Sequence, residues 1–173
     1  DVGQLSASRE DLDEKYQDWA GRGLTARVLQ HEVPPTCSPL GPYNKLVVAN
    51  GLLAGTRTSS AGRISVGAKS PLTGGINESN SGGIAGDAMA RLGLQAIVVQ
   101  GSPGDETLYI LRVGKDSAEL IPADEYRGLG TYSLCEKLYQ RFGNKVAVIC
   151  IGPAGEHKLA AAGVAVSDAE GFP

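Results

Sequence analysis

The chain has 173 residues, 42% apolar and 20% charged, a composition that suits one sizeable buried core and excludes a disordered segment. A net charge of −3, a pI near 5.4 and only 5% aromatic residues give no electrostatic footprint and no stacking surface for nucleic acid. No apolar stretch nears the length of a bilayer span and no signal-peptide pattern is present, so no membrane partner is expected.

Taken in chain order, Ser8 is placed to cap a helix over residues 8–19, with acidic residues favouring its first turn. Gly21-Arg22-Gly23 interrupts it, and a second helix over residues 24–31 stops at Val33-Pro34-Pro35. Trp19 is expected to anchor the core beside the glycine turn. Residues 45–50 read as an apolar strand. Residues 63–69 alternate with period two, placing Ile64, Val66 and Ala68 on one face and Arg63, Ser65, Gly67 and Lys69 on the other. Residues 70–83 read as a polar loop. A helix over residues 84–92 is capped by Gly93, and a strand over residues 96–100 closes the unit. The second half repeats the plan: strands at 107–113 and 118–121, a helix at 132–142 and a strand at 145–151, with a last strand at 160–166. The expected fold class is α+β, one domain with two sheets built from two loosely similar strand-strand-helix-strand units.

Cys37, Cys135 and Cys150 are too few and too scattered for a disulfide framework. With no CxxC pair, no zinc or iron–sulfur site can be built locally. Cys150, inside an apolar run, reads as a small buried hydrophobe, and the setting as reducing and cytoplasmic. His31 and His157 lack a metal-ligand spacing, Ser59 and Ser60 have no evident base, and Glu156 is suited to holding the turn after the preceding strand. No residue is assigned a catalytic role.

The richest segment runs from Gly51 to Gly83. It joins a strand carrying two cations to a helix start approached through Gly82-Gly83. A helix N-terminus has unpaired N–H groups and partial positive charge, Arg63 offers a bidentate fork and Lys69 a point charge. Together these suit the phosphate of a phosphorylated cofactor. Solvated cations and simple turns are the competing reading of the same residues. A dinucleotide fingerprint is excluded by the missing G-x-G-x-x-G spacing and by the polar loop at 76–81, and a P-loop by its absent motif.

Gly21-Arg22-Gly23-Leu24, Cys37-Ser38-Pro39-Leu40-Gly41-Pro42, Asn44-Lys45-Leu46, Gly51 to Thr56, Gly62-Arg63, Lys69-Ser70-Pro71-Leu72-Thr73-Gly74, Asn80-Ser81-Gly82-Gly83 and Ile151-Gly152-Pro153-Ala154-Gly155-Glu156 stand in one order. In that order they resemble the N-terminal domain of the tungsten-pterin aldehyde:ferredoxin oxidoreductase family, from about Trp19 to Asp168. The resemblance implies a base of two sheets carrying a tungsten, or in some members molybdenum, bis-pterin cofactor whose phosphates are joined through magnesium. By motif position, Asn80 resembles the residue whose backbone carbonyl binds that magnesium, and Arg63 the arginine between pterin and iron–sulfur cluster. Ser81, Gly82 and Gly83 are expected to line pterin or phosphate, with Lys69 as a further cofactor-binding candidate.

The activity implied is aldehyde oxidation to carboxylic acids, with electrons leaving through a 4Fe–4S cluster held by downstream domains. Ferredoxin or another electron-transfer subunit, the remaining domains of the polypeptide and a further copy of the chain are the partners this allows. Several features depart from the family pattern. The expected opening strand with a Gly-Arg pair is missing, Leu53 and Ala54 stand in the G-x-L-x-G-T turn, and the chain stops before a second Arg-containing phosphate stretch. Residues 1–173 are therefore expected to be one cofactor-cradling domain of a longer enzyme, incapable of turnover alone. A non-catalytic scaffold that kept the fold is the alternative.

Overall fold

The computed structural model describes all 173 residues. Its first unit is a fully antiparallel sheet of β1 (Lys45–Asn50), β2 (Ile64–Lys69), β3 (Ile76–Ser81) and β4 (Ala96–Gln100), in the spatial order β3-β2-β1-β4. Side chains alternate across a strand, so β1 sends Val47 and Ala49 to one face and Val48 to the other. On the first face lies α1 (Gly21–Glu32), which buries Leu24, Val28 and Leu29 against Val47 and Ala49. On the second lies α2 (Ala85–Arg91), where Ala85 and Met89 meet Val48 and Ile64.

The second unit contains the hairpin β5 (Tyr109–Val113) and β6 (Ala118–Pro122), then α3 (Thr131–Phe142). A two-residue pair, β7 (Ile149–Cys150) with β8 (Ala165–Val166), follows, with the single turn α4 (Pro153–Glu156) between its strands. Tyr126, Cys135, Leu138 and Val148 form this unit's core. Ala147, Ile149 and Val166 reach across to the α2 face of the first sheet, so the two units share one apolar layer.

The α+β class is as expected, while the strands hydrogen-bond into three sheets, of four, two and two strands. The recurring strand-strand-helix-strand order holds, with one strand more in the first unit. That strand is β3. Its residues are too polar to signal a buried strand, and it forms because a tight hairpin aligns it with β2: Ser70 N–H donates to Gly75 O at 2.8 Å and Gly74 N–H to Ser70 O at 2.8 Å. The helix expected over residues 8–19 is also absent, apart from a 3-10 turn at Glu14–Tyr16. Its like charges at Glu10, Asp13 and Glu14 fall at i, i+3 and i+4 and oppose a helix. The segment instead runs as a strap: Ser8 bonds Glu10, and Arg9 donates to the carbonyls of Leu92 and Lys115. Gly21-Arg22-Gly23 does not interrupt a helix but begins one. Trp19 packs beside Gly23, where a Cβ would come within 2.8 Å of its ring, yet Trp19 remains 40% exposed and is no core anchor.

Candidate functional site

The β2 residues that the sequence pattern places on a polar face are not solvated, because α1 lies on that face. Ser65 is buried 2.8 Å from Thr25 Oγ1 and 2.7 Å from Glu78 Oε1. One proton per hydroxyl satisfies this chain if Thr25 donates to Ser65 and Ser65 to the carboxylate. Gly67 permits the contact, since a Cβ there would come within 2.5 Å of Thr25 Cγ2. Lys69 is buried as well. Its ammonium donates to the carbonyls of Pro35 and, at 2.8 Å, Cys37, tying the proline-rich turn to the sheet.

Arg63 lies immediately before β2, so Lys69 sits about 20 Å away at the strand's far end. The two cations are not brought together, and Lys69 has a structural task already. Arg63 is exposed, pairs with no carboxylate, and donates from Nη2 to the backbone carbonyl of Asn80 at 3.4 Å. Gly82 stands beside it: a Cβ built there would lie 3.8 Å from Arg63 Nη1.

The orientation of Asn80's carbonyl follows from the ladder. Gly51 N–H donates to Arg63 O at 3.3 Å, so the main-chain groups of Arg63 and Ser65 face β1, while those of Ile64 and Val66 face β3. Ile64 opposes Ser81 and Ser65 opposes Asn80. Ser81 therefore gives its main-chain groups to the sheet, whereas Asn80 and Gly82 turn theirs outward from the free edge. The N–H groups of Gly82 and Gly83 have no protein acceptor. Gly83, at φ +95°, lies against the backbone of Ser167, where a Cβ would come within 2.4 Å of the carbonyl oxygen. The Ser81 hydroxyl points to the opposite face, with Ile64.

A metal-bridged diphosphate needs oxygen donors for the metal and cations and N–H donors for the phosphates. An outward carbonyl at Asn80, a carboxylate-free guanidinium at Arg63 and two unpaired amides at Gly82 and Gly83 meet that requirement within one strand end. These residues fit the group.

The helix start read from the sequence contributes less. The first turn of α2 carries Asp87, whose carboxylate accepts Gly55 N–H at 3.0 Å, and Ile84 N–H is occupied by Ser167 O at 3.1 Å. The uncapped end nearby belongs to α1. It has no acid in its first turn, and the N–H groups of Gly21 and Arg22 have no acceptor. Gly21, which begins it, packs over Gly51. The signal for it is in the sequence, in the acid-free Gly-Arg-Gly start, but two glycines in three residues carry the signature of a helix break as well.

Elsewhere the chemistry is quiet. Cys135 and Cys150 stand together across α3 and β7. Burial, reinforced by Cys135, pushes the Cys150 thiol up to about 12, and burial raises Cys135 too, so neither is a thiolate near neutral pH. Glu156 does hold backbone, accepting Gly128 N–H at 2.7 Å rather than an amide of its own turn. A groove of about 530 Å³ lies between α3 and residues 170–172. It is lined by Tyr132, Tyr139 and Phe172 with Glu136 and Glu170, and its two carboxylates with no cation disfavour an anionic ligand.

Residues 1–172 match the family described as aldehyde ferredoxin oxidoreductase, N-terminal domain. The chain belongs to that family. Its relatives include the tungsten-containing aldehyde ferredoxin oxidoreductase of Pyrococcus furiosus, 38% identical over 86% of this chain and 25% of the relative. The Thermococcus kodakarensis enzyme of the same name is 37% identical over 84% of this chain and 24% of its own. The chain thus spans about a quarter of the length of these relatives. Among solved structures, the active-site complex BamBC of benzoyl coenzyme A reductase, determined with 1,5-dienoyl-CoA, superposes with a TM-score of 0.88 at 27% identity. That match covers 95% of this chain and 25% of the other. No helix of the chain is long and apolar enough to cross a membrane.

Proposed function

We propose that this chain is the base on which a tungsten- or molybdenum-bis-pterin cofactor rests, in a cytoplasmic enzyme that oxidises aldehydes to carboxylic acids. A 4Fe–4S cluster in the rest of the polypeptide and ferredoxin, or another electron-transfer subunit, complete the electron path in this reading. The observation that carries it is the convergence of Arg63, the Asn80 carbonyl and the Gly82 and Gly83 amides at one end of β2 and β3, in a chain of this family. When bound, the metal–pterin group supplies the two-electron chemistry.

The chain's own residues bind and orient. Asn80 O, facing outward, would serve as a metal ligand, Arg63 would set a positive charge beside the phosphates, and the Gly82 and Gly83 amides would donate to phosphate.

The test is metal and pterin analysis of the full-length protein made with tungsten and molybdenum supplied. Stoichiometric pterin with one of the two metals supports the reading. Absence of all three favours a scaffold that kept only the fold. In the same protein, Arg63→Ala should lower retained pterin about tenfold or more, the worth of a charge-assisted hydrogen bond, while barely moving the thermal midpoint. Matching losses of pterin and stability would instead make Arg63 a structural residue.

A further inference from the structure

A carboxylate in direct contact with the seat is Glu78, which bonds Asn80 and is concealed in the sequence by the loop-like composition of β3. Its side chain is only 10% exposed, although β3 is an edge strand. Three elements converge on it. Oε2 accepts from Arg22 Nε of α1 at 2.6 Å, and Oε1 accepts from Ser65 Oγ of β2 at 2.7 Å and from Asn80 Nδ2, two residues along β3. Behind Ser65 stands Thr25, which never touches Asn80.

Only the Glu78 end of this pair is buried, while the Arg22 side chain is 72% exposed, and solvent screening makes such a pair a weak source of stability. Its position is more informative than its energy. Asn80 lies on a free edge, so the ladder secures the strand from one side only, and its outward carbonyl has no neighbouring strand to hold it. The exposed Arg63 guanidinium reaches that carbonyl at 3.4 Å, and the Asn80 side chain is the second handle, which Glu78 grips. Arg22, meanwhile, neutralises a carboxylate that would otherwise stand beside an anion seat. Such outer partners commonly change metal affinity ten- to a hundredfold when removed (about 10–100).

We propose that Glu78 is a positioning residue: together with Arg22 and Ser65 it fixes Asn80 so that the Asn80 carbonyl keeps the direction a phosphate-bridging divalent cation requires. This rests on the cofactor reading above. Glu78 touches no ligand itself and acts through Asn80.

The experiment follows magnesium loss from the full-length holoenzyme into excess EDTA, by metal analysis of desalted samples over time, with thermal midpoints recorded alongside. Glu78→Ala should release magnesium about tenfold faster than wild type. Glu78→Gln, whose amide oxygen still accepts from Asn80, should recover most of the difference, and serves if the alanine variant does not fold. Thr25→Val breaks the same network on the side remote from Asn80. It should lower the thermal midpoint and leave the release rate unchanged. Wild-type release from both Glu78 variants, or equal acceleration by Thr25→Val, overturns the proposal while leaving the cofactor reading intact. A wild-type protein devoid of pterin and magnesium overturns both.

Discussion

In the first unit, four strands of five or six residues form one continuous antiparallel sheet with a helix on each face; in the second, paired strands of five and of two residues make separate sheets around one long helix. One cation also stands apart, for Arg22 and Lys45 of the first unit pair with Glu78 and Glu32 as the second unit's arginines pair with their acids. Arg112, Arg127 and Arg141 of the second unit each meet a carboxylate, from Glu119, Asp124 and Glu125, whereas Arg63 of the first meets only a main-chain carbonyl. What separates the units is β3. It gives the first sheet a free edge that ends beside Arg63 and the Gly82-Gly83 pair, whereas the equally free edges of β5 and β6 end at no glycine pair. A repeated element order can therefore carry a binding seat in one copy and only packing in the other.

The largest effect that would sharpen this comparison is expected where the loop 51–62 docks on α2. A Cβ at Gly86 would lie 2.3 Å from Gly62 O, so backbone must move to admit it. Gly86→Ala should cost about 1–3 kcal/mol in urea denaturation, the range for overpacking a close contact. The matching change in the second unit, Gly130→Ala, meets nothing within 4 Å at φ −64° and should be close to neutral. Similar losses at both sites would erase the distinction between a packed seat and an open turn.

Lys69 comes next. Lys69→Met leaves the Pro35 and Cys37 carbonyls without their donor and should cost about 1–3 kcal/mol. In the full-length protein, pterin per folded molecule should stay unchanged, the reverse of Arg63→Ala. A drop in pterin without a drop in stability would return Lys69 to the seat.

The smallest effect concerns the α1 face far from the seat. Burial, and then the hydrogen bond to Glu32 at 2.8 Å, push the Tyr16 phenol up to about 12 from an ordinary 10.0. A raised pKa means that the neutral form is favoured in the folded state. Its stabilisation is complete below pH 10 and disappears as pH climbs toward 12. Denaturation midpoints should fall across that window in the wild type and fall less in Tyr16→Phe, which at neutral pH loses only about 1 kcal/mol. Equal alkaline slopes in the two proteins would show that Tyr16 titrates normally.

Much of the fold was legible in the residues. β1, β2, β4, α2 and α3 announce themselves by period and by their glycine and proline boundaries, and the ordered motifs pointed to Arg63, Asn80 and the glycine pair. Three features were not legible. β3 is a strand because a hairpin places it beside β2, not because its side chains prefer one. The strap at residues 8–19 has helical spacing but too many like charges to coil. Glu78 has no motif, and only the meeting of α1, β2 and β3 makes it a shared acceptor.

The sequence by itself determined the α+β class, the position of the glycine-lined turn, the charge of Arg63 and the family likeness, because these depend on local periodicity, on residues close in the chain and on their order. The tertiary structure decided which polar residues serve the seat and which serve the core. Lys69 and Ser65 alternate correctly for an exposed face, yet both are buried, Ser65 against Thr25 of α1 and Glu78 of β3 and Lys69 against the carbonyls of the proline-rich turn that follows α1. Asn80's carbonyl faces outward only because its strand is an edge. Burial and edge position depend on which elements lie next to one another, and hydrophobic period, which reports a face, is silent on what will cover it.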